Sequence, residues 1–153
     1  MKLQLFPIEQ SHGFIMRLAA NRMKSGLNRA FAAAGLEHTA EHWSVLSALM
    51  GRDGQSQTEV SQNVTKDRQN ITRIIDALEA AGLVQRRAHP SDRRCNQVFI
   101  TAAGRQAHQR LTAVAEGFTR AAFAGLGQGE LDELTRINKI IANNINKIYE
   151  KED

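Results

Sequence analysis

The sequence predicts a mainly α-helical chain with one small β-hairpin near its middle, set between long helices. Three observations predict this. Apolar residues recur at three-to-four spacing along most of the chain, the period of amphipathic helices. N-cap residues and glycines punctuate that pattern at helix-length intervals. Two short runs, Leu83 to Arg87 and Gln97 to Thr101, suit strands instead and flank a polar turn containing Pro90.

The elements follow in order. Phe14/Ile15, Leu18/Ala19, Met23, Leu27 and Ala30/Phe31 place a helix over about Ser11 to Ala34, with Gly35 ending it. Thr39 is the N-cap of a second helix holding Trp43, Leu46, Leu49 and Met50, and Gly51 to Gly54 break it. Ser56 and Glu59 form the S-x-x-E pattern of a capping box, so a short helix is expected from Gln57 to Val64, with Val60 and Val64 inward. Thr65-Lys66-Asp67 has no apolar anchor and reads as a turn. Asp67 then caps a helix over about Arg68 to Ala81, with the stripe Ile71, Ile74/Ile75 and Leu78, closed by Gly82. After the hairpin, Thr101 caps a long helix from Ala102 to about Ala124. Gly125, Gly127 and Gly129 mark a break. A last helix from Glu130 to about Tyr149 carries Leu131, Leu134, Ile137, Ile141, Ile145 and Ile148 on one stripe. No internal repeat or flexible linker is visible.

The 153 residues suit one domain, or one domain plus an appendage. Hydrophobic content of 42% and charged content of 24% are ordinary globular values and exclude disordered and collagenous classes. A single cysteine excludes a disulfide framework and a thiolate zinc cluster, and suits a reducing cytoplasm. No apolar stretch approaches the roughly 20 residues that cross a bilayer. Residues 1–7 hold one lysine and no run long enough for a signal peptide. A cytoplasmic chain without membrane attachment is expected.

The pI near 9.6 hints at an anionic partner, and the distribution of charge says more than its total of +4. Residues 66–110 carry nine basic and four acidic side chains, whereas residues 35–65 and 111–153 are net negative. Residues 1–34 are also basic, five against one.

The basic segment coincides with a short helix, a three-residue turn and a longer helix, the layout of a helix-turn-helix. Its second helix can enter a DNA major groove with its first residues toward the base edges. Those residues are Arg68, Gln69, Asn70, Thr72 and Arg73. Arginine can donate two hydrogen bonds to guanine, and asparagine or glutamine can pair with adenine. Lys66 and the hydroxyls of Ser56, Thr58 and Thr65 suit phosphate contacts. Any solvated helix can carry such residues, and it is the hairpin that favours the DNA reading. Arg86, Arg87, His89, Arg93 and Arg94 make it basic, and a basic hairpin following a helix-turn-helix is a wing. An arginine at its tip can enter the narrow minor groove. Asp92 either pairs with Arg94 and directs it, or caps the turn.

These residues resemble the MarR family of bacterial and archaeal transcription regulators. Asp92-Arg93-Arg94-Cys95-Asn96-Gln97-Val98-Phe99-Ile100-Thr101 is similar to that family's wing signature, D-x-R followed by an apolar-x-apolar-Thr strand end. The stretch from Asn70 to Val84 resembles its recognition helix and the exit into the wing. His42-Trp43-Ser44-Val45-Leu46 resembles its second helix, where a glutamine often precedes the tryptophan. The resemblance runs from about residue 11 to 149. Gln69 departs from the proline common at its position.

The resemblance implies a homodimer, with residues 1–36 and 102–153 as a helical dimerisation region and residues 37–101 as a winged helix-turn-helix on each subunit. It implies a palindromic site on double-stranded DNA and repression; separately, no cofactor or metal is expected. Asp92 and Arg94 become the wing-tip pair. Small phenolic or aromatic effectors are the common mode of regulation in the family. Arg17 and His42 are then candidate polar contacts and Trp43 an apolar wall, with a core role for Trp43 and a surface charge for Arg17 left open.

Other classes have less behind them. His12, His38, His42, His89 and His108 form no zinc-protease motif with a carboxylate, and neither a phosphate loop nor a nucleophile elbow occurs, so an enzyme is not expected. Cys95 sits beside Arg93 and Arg94, and nearby positive charge favours a reactive thiolate. A redox-responsive regulator is therefore an alternative. A winged helix that binds protein or RNA is another.

Overall fold

The computed structural model describes residues 7–64, 68–92 and 95–149. Lys66, Arg93 and Arg94, all expected to touch DNA, lie outside the described residues. Among those described there are six α-helices and one three-stranded antiparallel sheet, which is a winged-helix fold. The chain divides into two compact units, Met1–Thr119 and Arg120–Asp153.

After a 3-10 turn at Ile8–Gln10, α1 spans His12–Ala33 and α2 spans Ala40–Gly51. α1 ends in a Schellman motif: Leu36 N–H donates to Phe31 C=O at 2.9 Å and Gly35 N–H to Ala32 C=O at 3.0 Å. Gly35 supplies the positive φ of 73° that this closure needs. Asn28 on α1 accepts the Ala40 N–H at 2.7 Å, which joins α1 to the start of α2. Gln55, 1% exposed, satisfies the other end of α2. Its Nε2 donates to the carbonyls of Ala48 and Arg52, at 2.8 and 2.5 Å, and its Oε1 accepts from Asn63.

Gln55 also belongs to β1 (Gln55–Ser56), a strand the sequence reading missed. β1 pairs with β3 (Asn96–Ile100), which pairs with β2 (Val84–Ala88), so β3 is central. Both hairpin strands sit within one residue of their expected bounds. α3 (Gln57–Val64) and α4 (Arg68–Ala80) lie between β1 and β2 in sequence. A second Schellman motif ends α4, with Leu83 N–H on Leu78 C=O and Gly82 N–H on Glu79 C=O, both at 2.9 Å.

The core is one cluster. Phe31 of α1, Val45, Leu46 and Leu49 of α2, Val60 of α3, Ile71, Ile74, Ile75 and Leu78 of α4, Val84, Val98 and Ile100 of the sheet, and Ala107, Leu111 and Ala115 of α5 (Ala102–Ala122) meet in it. Full burial of each leucine or isoleucine contributes about 1.5–3 kcal/mol. Thr101 begins α5 as expected, its Oγ1 accepting the Gly104 N–H at 3.0 Å. In the second unit, α6 (Gln128–Tyr149) starts two residues earlier than expected, and Glu130 Oε2 accepts the Gly127 N–H at 2.8 Å. In the single chain no residue of α6 is buried, and Leu134, Ile137, Ile145 and Ile148 of its stripe are exposed. Among the described residues no helix is long and apolar enough to cross a membrane.

Candidate nucleic-acid interface

α4 has two faces. Ile71, Ile74, Ile75 and Leu78 anchor one in the core, which turns Gln69, Thr72, Arg73 and Asp76 to solvent. Asn70 is partly buried at the edge and accepts a hydrogen bond from Arg73 Nη2 at 2.8 Å. The two residue types best suited to reading adenine and guanine are thus already paired, one turn apart. Glu41 near the start of α2 adds a second restraint. Its carboxylate is held below the usual range, chiefly by the Lys24 ammonium at 2.5 Å, against the effect of burial, with the Asn70 side chain also lowering it.

The capping box that starts α3 forms in both directions. Ser56 Oγ accepts the Glu59 N–H at 3.2 Å, and Glu59 Oε2 accepts the Ser56 N–H at 2.7 Å. That backbone bond, with Arg52 beside it, pulls the Glu59 carboxyl down to about 2. Thr58 is exposed in the first turn of α3. Gln57, which the sequence reading passed over, donates from Nε2 to Thr72 Oγ1 on α4 at 2.5 Å.

The hairpin separates its arginines by the period of two of a strand. Arg86 shares a face with buried Val84 and reaches α4. Its Nη1 lies 2.6 Å from Glu79 Oε2 and its Nη2 2.5 Å from Asp76 Oδ1. Arg87, on the other face, is exposed and lies over the Phe99 ring, 4.7 Å from its centroid. Beyond β2, His89 Nδ1 accepts from Ser91 N–H and Oγ. At the turn the Asp92 carbonyl accepts the Cys95 N–H at 3.0 Å; the alternative pairing of Asp92 with Arg94 lies outside the described residues. A cleft of about 580 Å³ opens beside this turn, lined by Arg52, Ser56, Glu59, His89, Asp92 and Cys95 among others.

Cys95 departs from the expected electrostatics. Its thiol is exposed and donates to Asp92 Oδ2 at 3.5 Å. That carboxylate raises the thiol pKa, opposite to the activation inferred from neighbouring arginines.

The three effector candidates have other partners in the single chain. Arg17 is exposed on α1 and lies over the Phe14 ring at 5.0 Å. His42 Nδ1 accepts the Thr39 N–H, completing the N-cap of α2. Trp43 packs against the core edge-on to Phe31 and donates from Nε1 to Thr112 Oγ1 at 3.0 Å. Thr112 and His108 line a cleft of about 560 Å³ with Met50, Arg105, Gln109 and Glu116. Among the described residues no group of three or more histidine, cysteine or acidic side chains could hold a metal.

Comparison with known proteins places these features. A sequence profile described as MarR family matches residues 38–96. The Escherichia coli protein named HTH-type transcriptional regulator PrsX is 32% identical over 123 residues, covering 79% of this chain and 73% of its own. The transcriptional repressor CouR of Rhodococcus jostii RHA1, bound to a 23-mer DNA duplex, is 26% identical with a TM-score of 0.80, covering 93% of this chain and 99% of its own. Bordetella bronchiseptica BpsR, whose DNA binding is regulated by 6-hydroxynicotinic acid, shares the fold at a TM-score of 0.82 and 23% identity, covering 90% of this chain and 96% of its own.

Proposed function

This chain belongs to the MarR family, and on that premise we propose that it is a homodimeric repressor that reads a palindromic operator in double-stranded DNA. It is a transcription regulator of that family with a winged-helix domain. One observation carries the finer reading: the solvent face of α4 presents Gln69, Thr72 and Arg73, with Asn70 paired to Arg73, just ahead of a basic hairpin. Arg73 suits guanine O6 and N7, and Asn70 or Gln69 the N6 and N7 edge of adenine. Ser56, Thr58, Lys66 and Arg68 suit phosphates. His89, Arg93 and Arg94 belong to the wing, for the minor groove or its phosphates, with Asp92 holding the turn.

The dimer is supported by the exposed stripe of α6, a continuous apolar surface that water disfavours. In this reading residues 1–36 and 102–153 form the dimerisation region and residues 37–101 the DNA-binding domain. Two-fold symmetry then sets two recognition helices about 34–36 Å apart, one DNA turn. Repression is supported by CouR, the repressor seen on duplex DNA. A small aromatic or phenolic effector is supported by the cleft beside Trp43's partner Thr112, whose size suits such a molecule. The site of action is the cytoplasm, where bacterial DNA lies.

Selection of bound sequences from a random duplex pool tests the reading. An enriched palindrome with half-sites about 10–10.5 base pairs apart is expected, with a dimeric mass in sedimentation. Unenriched binding, or a preference for single-stranded RNA, would reject it.

A further inference from the structure

Arg86 and Gln57 form a polar bridge between the wing strand, α3 and the recognition helix. The Arg86 side chain is 19% exposed. Its guanidinium donates to Glu79 Oε2 at 2.6 Å, Asp76 Oδ1 at 2.5 Å and Gln57 Oε1 at 3.4 Å. Its backbone N–H donates to Glu79 Oε1 at 2.9 Å. One wing residue therefore holds two carboxylates, three positions apart on α4, and an amide on α3.

The donor chemistry fixes the direction of the bridge. Arginine donates only, so Gln57 must turn its oxygen to Arg86 and its NH2 to Thr72. The amide donates to Thr72 Oγ1 at 2.5 Å. Thr72 lies on the solvent face of α4 between Gln69 and Arg73. Asp76 and Glu79 would also oppose a phosphate backbone if left uncompensated. Arg86 offsets one of these two negative charges and holds the helix to the strand in a forked geometry that lysine cannot copy.

We propose that Arg86 and Gln57 are positioning residues for base reading: they set the recognition helix against the wing and orient Thr72, and Arg86 does so instead of contacting DNA. This rests on the reading of α4 as the DNA-reading helix.

The test uses the full chain, the selected palindrome and a scrambled duplex of equal composition, titrated across a salt series. Arg86→Lys keeps the charge and loses the fork; Gln57→Ala keeps every charge and loses the amide. Both variants are expected to bind the scrambled duplex like the wild type, with the same slope of log affinity against log salt. Both are expected to lose selectivity for the palindrome by roughly 5- to 100-fold, the scale of one misplaced base contact. Wild-type selectivity in both variants would overturn the proposal. So would an Arg86→Met variant that keeps selectivity while its salt slope falls by about 1, since that is the signature of a phosphate contact. If Arg86→Lys does not fold, Gln57→Ala and Gln57→Glu decide the matter. A wild type that binds both duplexes equally would reject the DNA reading itself, a different result that removes the proposed role with it.

Discussion

His42 Nδ1 accepts the backbone N–H of Thr39 at 3.0 Å, while Thr39 Oγ1 accepts the His42 N–H at 3.4 Å. An imidazole thus occupies the position that glutamate or glutamine usually fills in a capping box. The contact requires the neutral ring, because a protonated Nδ1 would be a donor facing a donor. Burial, and then the neighbouring His38, hold the His42 pKa below its ordinary value. The folded state therefore binds fewer protons than the unfolded state just below about pH 6.5, the usual histidine value. The contribution is complete above that pH and is lost as pH falls toward the depressed folded value. His108, depressed by burial, acts with the same sign.

The melting temperature should therefore fall between pH 7 and pH 5, and His42→Gln should flatten part of that fall while keeping the box. His42→Ala should cost about 0.5–2 kcal/mol at pH 7, the usual worth of a cap. Thermal melts across this range check both, and an identical pH profile for His42→Gln would refute the role given to the ring.

Gly104→Ala should be severely destabilising. A Cβ there would sit 2.0 Å from the Leu83 carbonyl oxygen and 2.8 Å from Ile100 Cγ1. The carbonyl belongs to backbone that Thr101 also holds, its N–H donating to Leu83 C=O at 3.0 Å. Overpacking costs about 1–3 kcal/mol, and more where backbone must move. Urea denaturation should show a loss of at least that size.

Thr112→Val keeps the shape of the side chain but removes the acceptor for Trp43 Nε1. The half-buried indole N–H then lacks its partner, at about 1–3 kcal/mol. Thr112→Ser should retain most of the stability. Trp43 is the only tryptophan, so its fluorescence reports the change directly.

Cys95 should react slowly with a thiol reagent at neutral pH, and Asp92→Asn should speed that reaction by removing the charge that raises the thiol pKa. Alkylation rates against pH check this. Faster alkylation of the wild type than of a free thiol would contradict this and favour the redox reading.

Much of the fold was legible because its signals are local. The S-x-x-E box, the caps at Thr39 and Thr101, and the C′ glycines Gly35 and Gly82 all depend on contacts within a few residues. Strand β1 was missed because two residues carry no period, and only pairing with β3 makes them a strand. Arg86 was grouped with the other arginines by composition. Its separate role follows from alternation, since it shares a face with Val84, but its partners lie seven and ten residues away on α4 and appear only in three dimensions. Gln57 likewise meets Thr72 only after α3 and α4 pack.

The most direct test of base reading from α4 is an anisotropy titration of the wild type and the Asn70→Ala/Arg73→Ala double variant, each on the selected palindrome and on a scrambled duplex. The wild type should prefer the palindrome by about a thousandfold or more at physiological salt. The double variant should lose most of that preference, at about 1–3 kcal/mol for each lost contact, while still binding the scrambled duplex. Equal binding of both duplexes by the wild type, or full selectivity in the double variant, would contradict it.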